Sequence, residues 1–331
     1  MFHPLSQKGT FRHRRHFLRM TSASAMGTIC APILQARART TDSRVAGSAP
    51  KPGSIMQIGI LLGTFPESTY EAKLDAVKSC GLACIQLSLD CAGVEAMPDQ
   101  ISSELAEWIR REAAARRIAI ASVQGTFNMS HPDSQHRQKG LRRLRVLAEA
   151  CSQMGTSRIH LCTGTRDPEN MWRRHPENDS PEAWADMTAC VRAAADIAKQ
   201  TGVVLGFEPE VNNVVDSAQK ARRLLDEIGS PNLKVTMDAA NLFHAGELPR
   251  MKEILDEAFA LMGKDIVMAH AKDLDHDGDA GHKAAGQGKL DYSRYLSLLR
   301  TYGFKGPLLL HGLSEAQVPG CIAFLREKMP S

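Results

Sequence analysis

Four residues of this chain share a type and a setting suited to metal chemistry: Glu208, Asp238, His270 and His311. Three close short apolar runs and the fourth stands near the end of one. Residues 203–210 read Val-Val-Leu-Gly-Phe-Glu-Pro-Glu and residues 233–238 read Leu-Lys-Val-Thr-Met-Asp. Residues 265–270 read Asp-Ile-Val-Met-Ala-His and residues 307–311 read Pro-Leu-Leu-Leu-His. Short runs rich in branched apolar residues predict buried strands, and the gap between each pair is long enough for one helix. Two carboxylates with one or two imidazoles and water suit manganese, iron, cobalt, zinc or nickel, and suit calcium poorly because it prefers an all-oxygen shell. An ion held this way is a Lewis acid toward a carbonyl or hydroxyl. It acidifies the neighbouring carbon-bound hydrogen and stabilises the enediolate left behind, which serves isomerisation, epimerisation or elimination equally.

Taken singly, each residue has a plainer role. Glu208 is a solvated acid or a cap, Asp238 a helix N-cap, His270 a partner for Asp273, and His311 a satisfied rim histidine. Topology joins them. In a parallel (β/α) barrel the C-terminal strand ends share one face, so residues a hundred positions apart converge there.

The chain supports that topology. Strands are predicted at 55–62, 83–89, 118–124, 157–163, 203–210, 233–238, 265–271 and 307–311. Helices are predicted at 68–79, 98–116, 135–154, 181–201, 217–228, 249–262, 292–302 and 315–328. Eight strands alternating with eight helices predict an α/β fold, a (β/α)8 TIM barrel in one domain over 55–331. The length of 331 residues and 43% hydrophobic content suit one such barrel with an extension. A doubly wound open sheet is the alternative, but no Gly-x-Gly-x-x-Gly follows the first strand.

The first 38 residues differ from the rest, with six Lys or Arg, no Asp or Glu, and a weakly apolar run from Thr21 to Leu34. The stretch His13-Arg14-Arg15-His16-Phe17-Leu18-Arg19 resembles a twin-arginine export signal, and Ala36-Arg37-Ala38 supplies a cleavage site. Residues 1–38 are thus expected to direct periplasmic export, with 39–54 as a linker; a disordered basic tail is the plain alternative. Without the leader, 35 basic residues face 37 acidic ones, which removes the simplest electrostatic case for nucleic-acid binding. No stretch reaches the 18 apolar residues of a membrane span. Seven scattered cysteines remain after Cys30 is removed and read as buried small hydrophobes, a set compatible with export of an already folded protein.

Further candidates surround the four. His160 on strand four is an acid/base, a substrate hydrogen-bonder or a buried structural histidine. Glu210 shares strand parity with Glu208 and is a candidate second carboxylate. Lys272 is read as pointing away from His270 unless the strand has already ended there. The loop Asp273-Leu274-Asp275-His276-Asp277-Gly278 imitates an EF-hand start but carries Ala284 where the twelfth-position glutamate belongs. It reads as a polar lid with Gly281, Gly286 and Gly288 as flexible points and His282 or Lys283 reaching substrate. Trp172 and Phe65 are candidates for stacking on a sugar ring, with packing as the plain role.

Four segments carry a family resemblance: Gly206-Phe207-Glu208-Pro209-Glu210, Asp238-Ala239-Ala240-Asn241-Leu242, His270-Ala271-Lys272-Asp273 and Gly286-Gln287-Gly288-Lys289-Leu290-Asp291. Together they resemble the sugar phosphate isomerase/epimerase, or xylose isomerase-like, TIM-barrel family over about 55–325. The resemblance implies a divalent metal, manganese or a relative such as zinc, cobalt, iron or nickel. Its ligands would be Glu208, Asp238, His270 and a glutamate after strand eight. Here His311 stands at that fourth place, so the paired-glutamate proton transfer of the family's epimerases does not carry over intact. Glu315, four residues on, is poorly placed to replace it.

The expected function is metal-dependent isomerisation or epimerisation of a small carbohydrate. The alternatives are a lyase or dehydratase on a keto sugar or keto glycoside, an abasic-site endonuclease of the same barrel type, and a non-catalytic sugar-binding protein. The expected partners are that substrate and a second copy of the chain, with no nucleic acid. Absence of an evident cationic cluster and the leader both point to an unphosphorylated substrate.

Overall fold

The computed structural model describes residues 56–329; the leader, the linker and Ile55 lie outside the described residues. The eight expected strands are present as β1 (Gln57–Leu61), β2 (Cys84–Leu87), β3 (Ala119–Gln124), β4 (Arg158–Cys162), β5 (Val204–Glu208), β6 (Leu233–Asp238), β7 (Ile266–Asp273) and β9 (Pro307–Leu310). A two-residue strand, β8 (Lys283–Ala284), runs antiparallel to the end of β7. Pairing is parallel throughout the other eight, in the order β6-β5-β4-β3-β2-β1-β9-β7, and β6 pairs with β7 to close the barrel. The closed parallel barrel expected from the sequence is therefore the fold.

The helices are α1 (Tyr70–Ser79), α2 (Ser103–Ala115), α3 (Ser134–Met154), α4 (Pro181–Thr201), α5 (Ala218–Ile228), α6 (Met251–Met262), α7 (Tyr292–Thr301) and α8 (Val318–Lys328). Capping side chains set several starts: Thr69 accepts from Ala72 N, Ser102 from Leu105 N, Ser180 from Ala183 N and Ser217 from Lys220 N. Ser102 is why α2 begins at Ser103, five residues later than the periodicity suggests. Glycines in the left-handed region at Gly155, Gly202 and Gly229 end α3, α4 and α5.

Strands and inward helix faces form a large apolar core that includes Ile60, Ile85, Leu205, Val235 and Phe259, and Cys84, Ala121 and Leu309 form a second, small cluster. Phe65 is fully buried in it, so its role is packing. One core contact bears directly on the barrel mouth. The Tyr295 hydroxyl, on α7, lies 3.0 Å from the carbonyls of both Met237 and His270, and so ties the ends of β6 and β7 together. The described cysteines are all free and all but Cys80 are buried. No helix among the described residues is long and apolar enough to cross a membrane.

Candidate metal centre at the barrel mouth

The four strand-end residues do converge. Glu208 Oε2 lies 3.1 Å from His270 Nδ1, and Asp238 Oδ2 lies 3.6 Å from the same nitrogen and 3.7 Å from His311 Nδ1. Asp238 is also the N-cap its position suggested: Oδ1 accepts from Ala240 N at 3.1 Å. Capping and ligation thus use different oxygens of one carboxylate.

Three of the converging atoms, Asp238 Oδ2, His270 Nδ1 and His311 Nδ1, are buried without a hydrogen-bond partner. Unsatisfied buried polar atoms are costly, and three aimed at one point ask for a shared cation. The tautomer of His270 agrees. Its Nε2 faces Gln86 Oε1 at 3.3 Å, and that oxygen also receives the Ser122 hydroxyl at 3.2 Å. Nε2 therefore carries the proton and Nδ1 turns its lone pair toward Glu208 and Asp238. Lone pairs facing carboxylates repel unless a cation stands between them. Burial alone would push His270 down, but Glu208 and Asp238 outweigh it and raise its imidazolium to about 9, so a proton plays that part when no metal does. The residues present fit a divalent ion.

Burial alone would raise Asp238, but Lys272 and the histidines hold its carboxylate well below the ordinary range. Here the sequence expectation is corrected. β7 continues through Asp273 because β8 pairs with it, so Lys272 sits two residues from His270 on the same face. Its Nζ lies 3.2 Å from Asp238 Oδ2. Burial opposes the charge on Lys272, but Asp238 and then Glu208 more than restore it, leaving a cation rather than a neutral amine.

His311 follows β9 and hydrogen-bonds through its backbone to Ala271 O. One edge of its ring is open, with 33% of the side chain exposed, while Nδ1 is enclosed. Enclosure and then the Lys272 ammonium push its imidazole down, which keeps it neutral as a ligand must be. Glu315 begins an exposed 3-10 turn, so no carboxylate from this region replaces the missing glutamate.

His160 also comes to the site. Its Nδ1 lies 3.2 Å from the Thr236 hydroxyl, whose own proton goes to Gly206 O. Nδ1 therefore donates, and Nε2 presents a lone pair 3.5 Å from Glu208 Oε2. Burial pulls this imidazole down to about 3. It is neutral at working pH and suited to accepting a proton or hydrogen bond, not to donating one as an imidazolium. Glu208 is also a weak base. Burial would raise it, but His270 brings it down to about 2, and Oε1 accepts from the Asn241 amide.

Glu210 has the opposite character. Its carboxylate accepts from Asn212 N at 2.9 Å and from Asn213 Nδ2 at 2.5 Å, yet burial, reinforced by the Glu208 charge, raises it to about 7. Glu208, Glu210, His160, Lys272, Trp172 and His311 all border one cavity of about 190 Å³. A wider recess of about 450 Å³ shares Leu61, Gln86, Gln124 and His311 with it and runs out to Thr64, Ser88 and Asp90. Trp172, 47% exposed, stands at the rim.

Several contributors were hidden from sequence reasoning. Gln86 was legible only as a polar residue in an apolar strand, and Asn241 only as the third residue after the strand-six acid. Cys162, grouped with the core cysteines, borders the cavity with Sγ 3.9 Å from His160 Nε2. Asp273 does not pair with His270. Its carboxylate accepts backbone N–H groups from Leu274, Gly286, Gly288 and Leu290. The glycines read as flexible points are close-packed: a Cβ on Gly288 would strike Leu274 O and Asp273, and one on Gly281 would strike Ala240. His282 and Lys283 turn onto Asp275 rather than into the cavity.

The model of the xylose isomerase-like TIM barrel matches residues 74–327, nearly the whole barrel. The chain belongs to that family. A ketose 3-epimerase of Arthrobacter globiformis is 25% identical over 150 residues, covering 44% of this chain and 47% of that relative, so the match spans about half of each. Among solved structures, the E. coli 3-keto-D-glucoside 4-epimerase is 18% identical with a TM-score of 0.61, covering 82% of this chain and all of that one. A Mycobacterium smegmatis xylose isomerase-like barrel in complex with magnesium is 17% identical with a TM-score of 0.64, covering 83% and 96%. At these identities the structural likenesses are of fold. The Asn241 amide donates to Glu208, and its oxygen accepts from Gly281 N.

Proposed function

We propose that this xylose isomerase-like barrel is a metal-dependent enzyme that moves a proton next to the carbonyl of a small, unphosphorylated keto sugar, as an isomerase or epimerase. The observation that carries the proposal is the convergence of buried Asp238 Oδ2, His270 Nδ1 and His311 Nδ1, none of them hydrogen-bonded, beside Glu208, with Lys272 Nζ as the one ammonium near Asp238 Oδ2 among the described residues. A divalent ion there, manganese first among the family's choices, would polarise the carbonyl and lower the acidity barrier of the adjacent carbon. Glu208, Asp238, His270 and His311 would hold it.

The chain's own residues divide the remaining work. Glu210, raised to about 7, is the proton carrier, because a general base works best near the operating pH. Lys272 keeps a positive charge at the cavity wall to favour an oxyanion. His160 accepts a hydrogen bond from a substrate hydroxyl through Nε2, and Trp172 offers an apolar face at the rim.

Elimination on a keto glycoside is the second reading. A neutral histidine where relatives' second glutamate would lie favours it, because elimination needs only one base. The recess beyond His311 also gives the leaving group a place to sit. Incubation of manganese-loaded protein with ketohexoses and 3-keto glucosides in deuterium oxide tests both. Deuterium at the carbon beside the carbonyl with a new diastereomer supports epimerisation, and release of the aglycone supports elimination. Binding without exchange or bond cleavage would leave a sugar-binding protein.

Export of the folded barrel through the Arg14-Arg15 leader is proposed with it. Arg14→Lys with Arg15→Lys is expected to keep the protein in the cytoplasmic fraction; unchanged periplasmic recovery would sink that part.

A further inference from the structure

The loop between β7 and β8 carries a second cluster, separate from the barrel centre. Asp275 Oδ1 lies 2.7 Å from His276 Nδ1 and 2.6 Å from His282 Nε2, and the two rings are tilted 34° to one another with centroids 4.1 Å apart. The other oxygen of Asp275 is held by Lys283 Nζ at 2.9 Å. All three side chains remain accessible, His276 the most.

The hydrogen-bond pattern of His282 creates a demand. Its Nδ1 faces the carbonyl oxygen of Ala280 at 3.2 Å, and a carbonyl only accepts, so Nδ1 carries the ring proton. In a neutral imidazole Nε2 is then a lone pair, 2.6 Å from a carboxylate oxygen. Two acceptors at that distance repel unless a positive centre joins them. A second ring proton meets that demand, and so does a metal ion, which also draws in His276, whose Nδ1 converges on the same oxygen.

We propose that Asp275, His276 and His282 form a second metal site, independent of the barrel centre, for a borderline divalent cation such as zinc, nickel or copper. Their candidate ligand atoms all lie within 4.8 Å of one another, close enough for one ion to serve them. Two imidazoles and one carboxylate suit such ions and leave a position for water, whereas calcium and magnesium would be poorly served. Lys283, by holding the far oxygen, fixes the carboxylate so that Oδ1 is the one presented.

The location gives the site a purpose. Residues 275 and 282 flank the tip of the loop, so an ion bridging them closes the tip into a ring. That tip forms part of the wall of the barrel centre. Asp279 accepts from the Asn212 amide, Ala280 borders the inner cavity, and Gly281 N donates to Asn241, whose amide holds Glu208. The loop ion therefore acts as a latch on the wall beside Glu208.

The test is a zinc titration by calorimetry of chelator-stripped full-length chain, comparing Asp238→Asn protein with the same protein also carrying His276→Ala and His282→Ala. Trypsin cleavage after Lys283 is followed in parallel. The protein with an intact loop is expected to bind about one zinc more than its loop-substituted counterpart. Zinc should also slow cleavage after Lys283 only when both histidines are present. The same comparison without Asp238→Asn gives the answer should that variant fold poorly, because His276 and His282 are at the surface. Equal zinc uptake with and without the histidines would overturn the site, whatever the barrel centre does. An extra zinc with no change in cleavage would overturn the latch.

Discussion

Asp238→Asn is expected to abolish metal binding and activity together. The substitution keeps the shape of the side chain and its bond to Ala240 N, but removes the charge shared by His270, His311 and Lys272. Manganese content, near stoichiometric in the wild type, should fall to background, with turnover reduced by about 10³ or more. Stability should fall too, because Lys272 is left as a buried ammonium without its partner, a loss of about 3–5 kcal/mol. Adding Lys272→Met should restore most of that stability and none of the metal. Wild-type metal content in Asp238→Asn would place the ion elsewhere.

Acidity should modulate the same site with a definite sign. In the metal-free protein His270 holds its proton up to about 9, so metal must displace a proton at neutral pH. Apparent affinity is therefore expected to strengthen about tenfold per unit as pH rises toward 9 and to level off above it. An affinity independent of pH between 6 and 9, measured by calorimetry, would remove His270 from the ligand set.

Glu210→Gln is expected to separate catalysis from metal binding. Glutamine keeps an acceptor for Asn212 N and fills the same buried space but turns an N–H toward Asn213 Nδ2, so metal content should change little while the melting temperature falls modestly. Turnover should drop by about 10²–10⁴, the usual worth of a positioned acid or base. In the wild type, a base that loses its proton near 7 makes the rate rise with pH through that value, and the rise should vanish in the variant. Retention of both rate and inflection would shift the proton-carrying role to Glu208 or His160.

Much of this was legible because strand ends spell themselves in sequence. Each apolar run that stops at an acid or histidine marks both an element boundary and a residue on the catalytic face, which located Glu208, Asp238, His270 and His311. What stayed hidden depends on pairing between distant segments. Lys272 was placed on the wrong side although it stands two residues from His270, and residues two apart share a face wherever the strand continues, as β7 does here through Asp273. Gln86 acts through a contact with His270, 184 positions away, which no local pattern encodes. Asp273 looked like the first ligand of a calcium loop, yet it is spent on four backbone N–H groups.

That use of Asp273 bears on traffic through the site. A single buried carboxylate gathers backbone from both ends of the long β7–α7 connection, so this side of the mouth is a fixed wall and not a door. The recess over His311 and past Thr64, Ser88 and Asp90 is therefore the expected way in and out for the proposed substrate. Its reacting carbon then arrives first and its remote end trails outward, so alterations meant to broaden or change what this barrel accepts belong on the loops after β1 and β2.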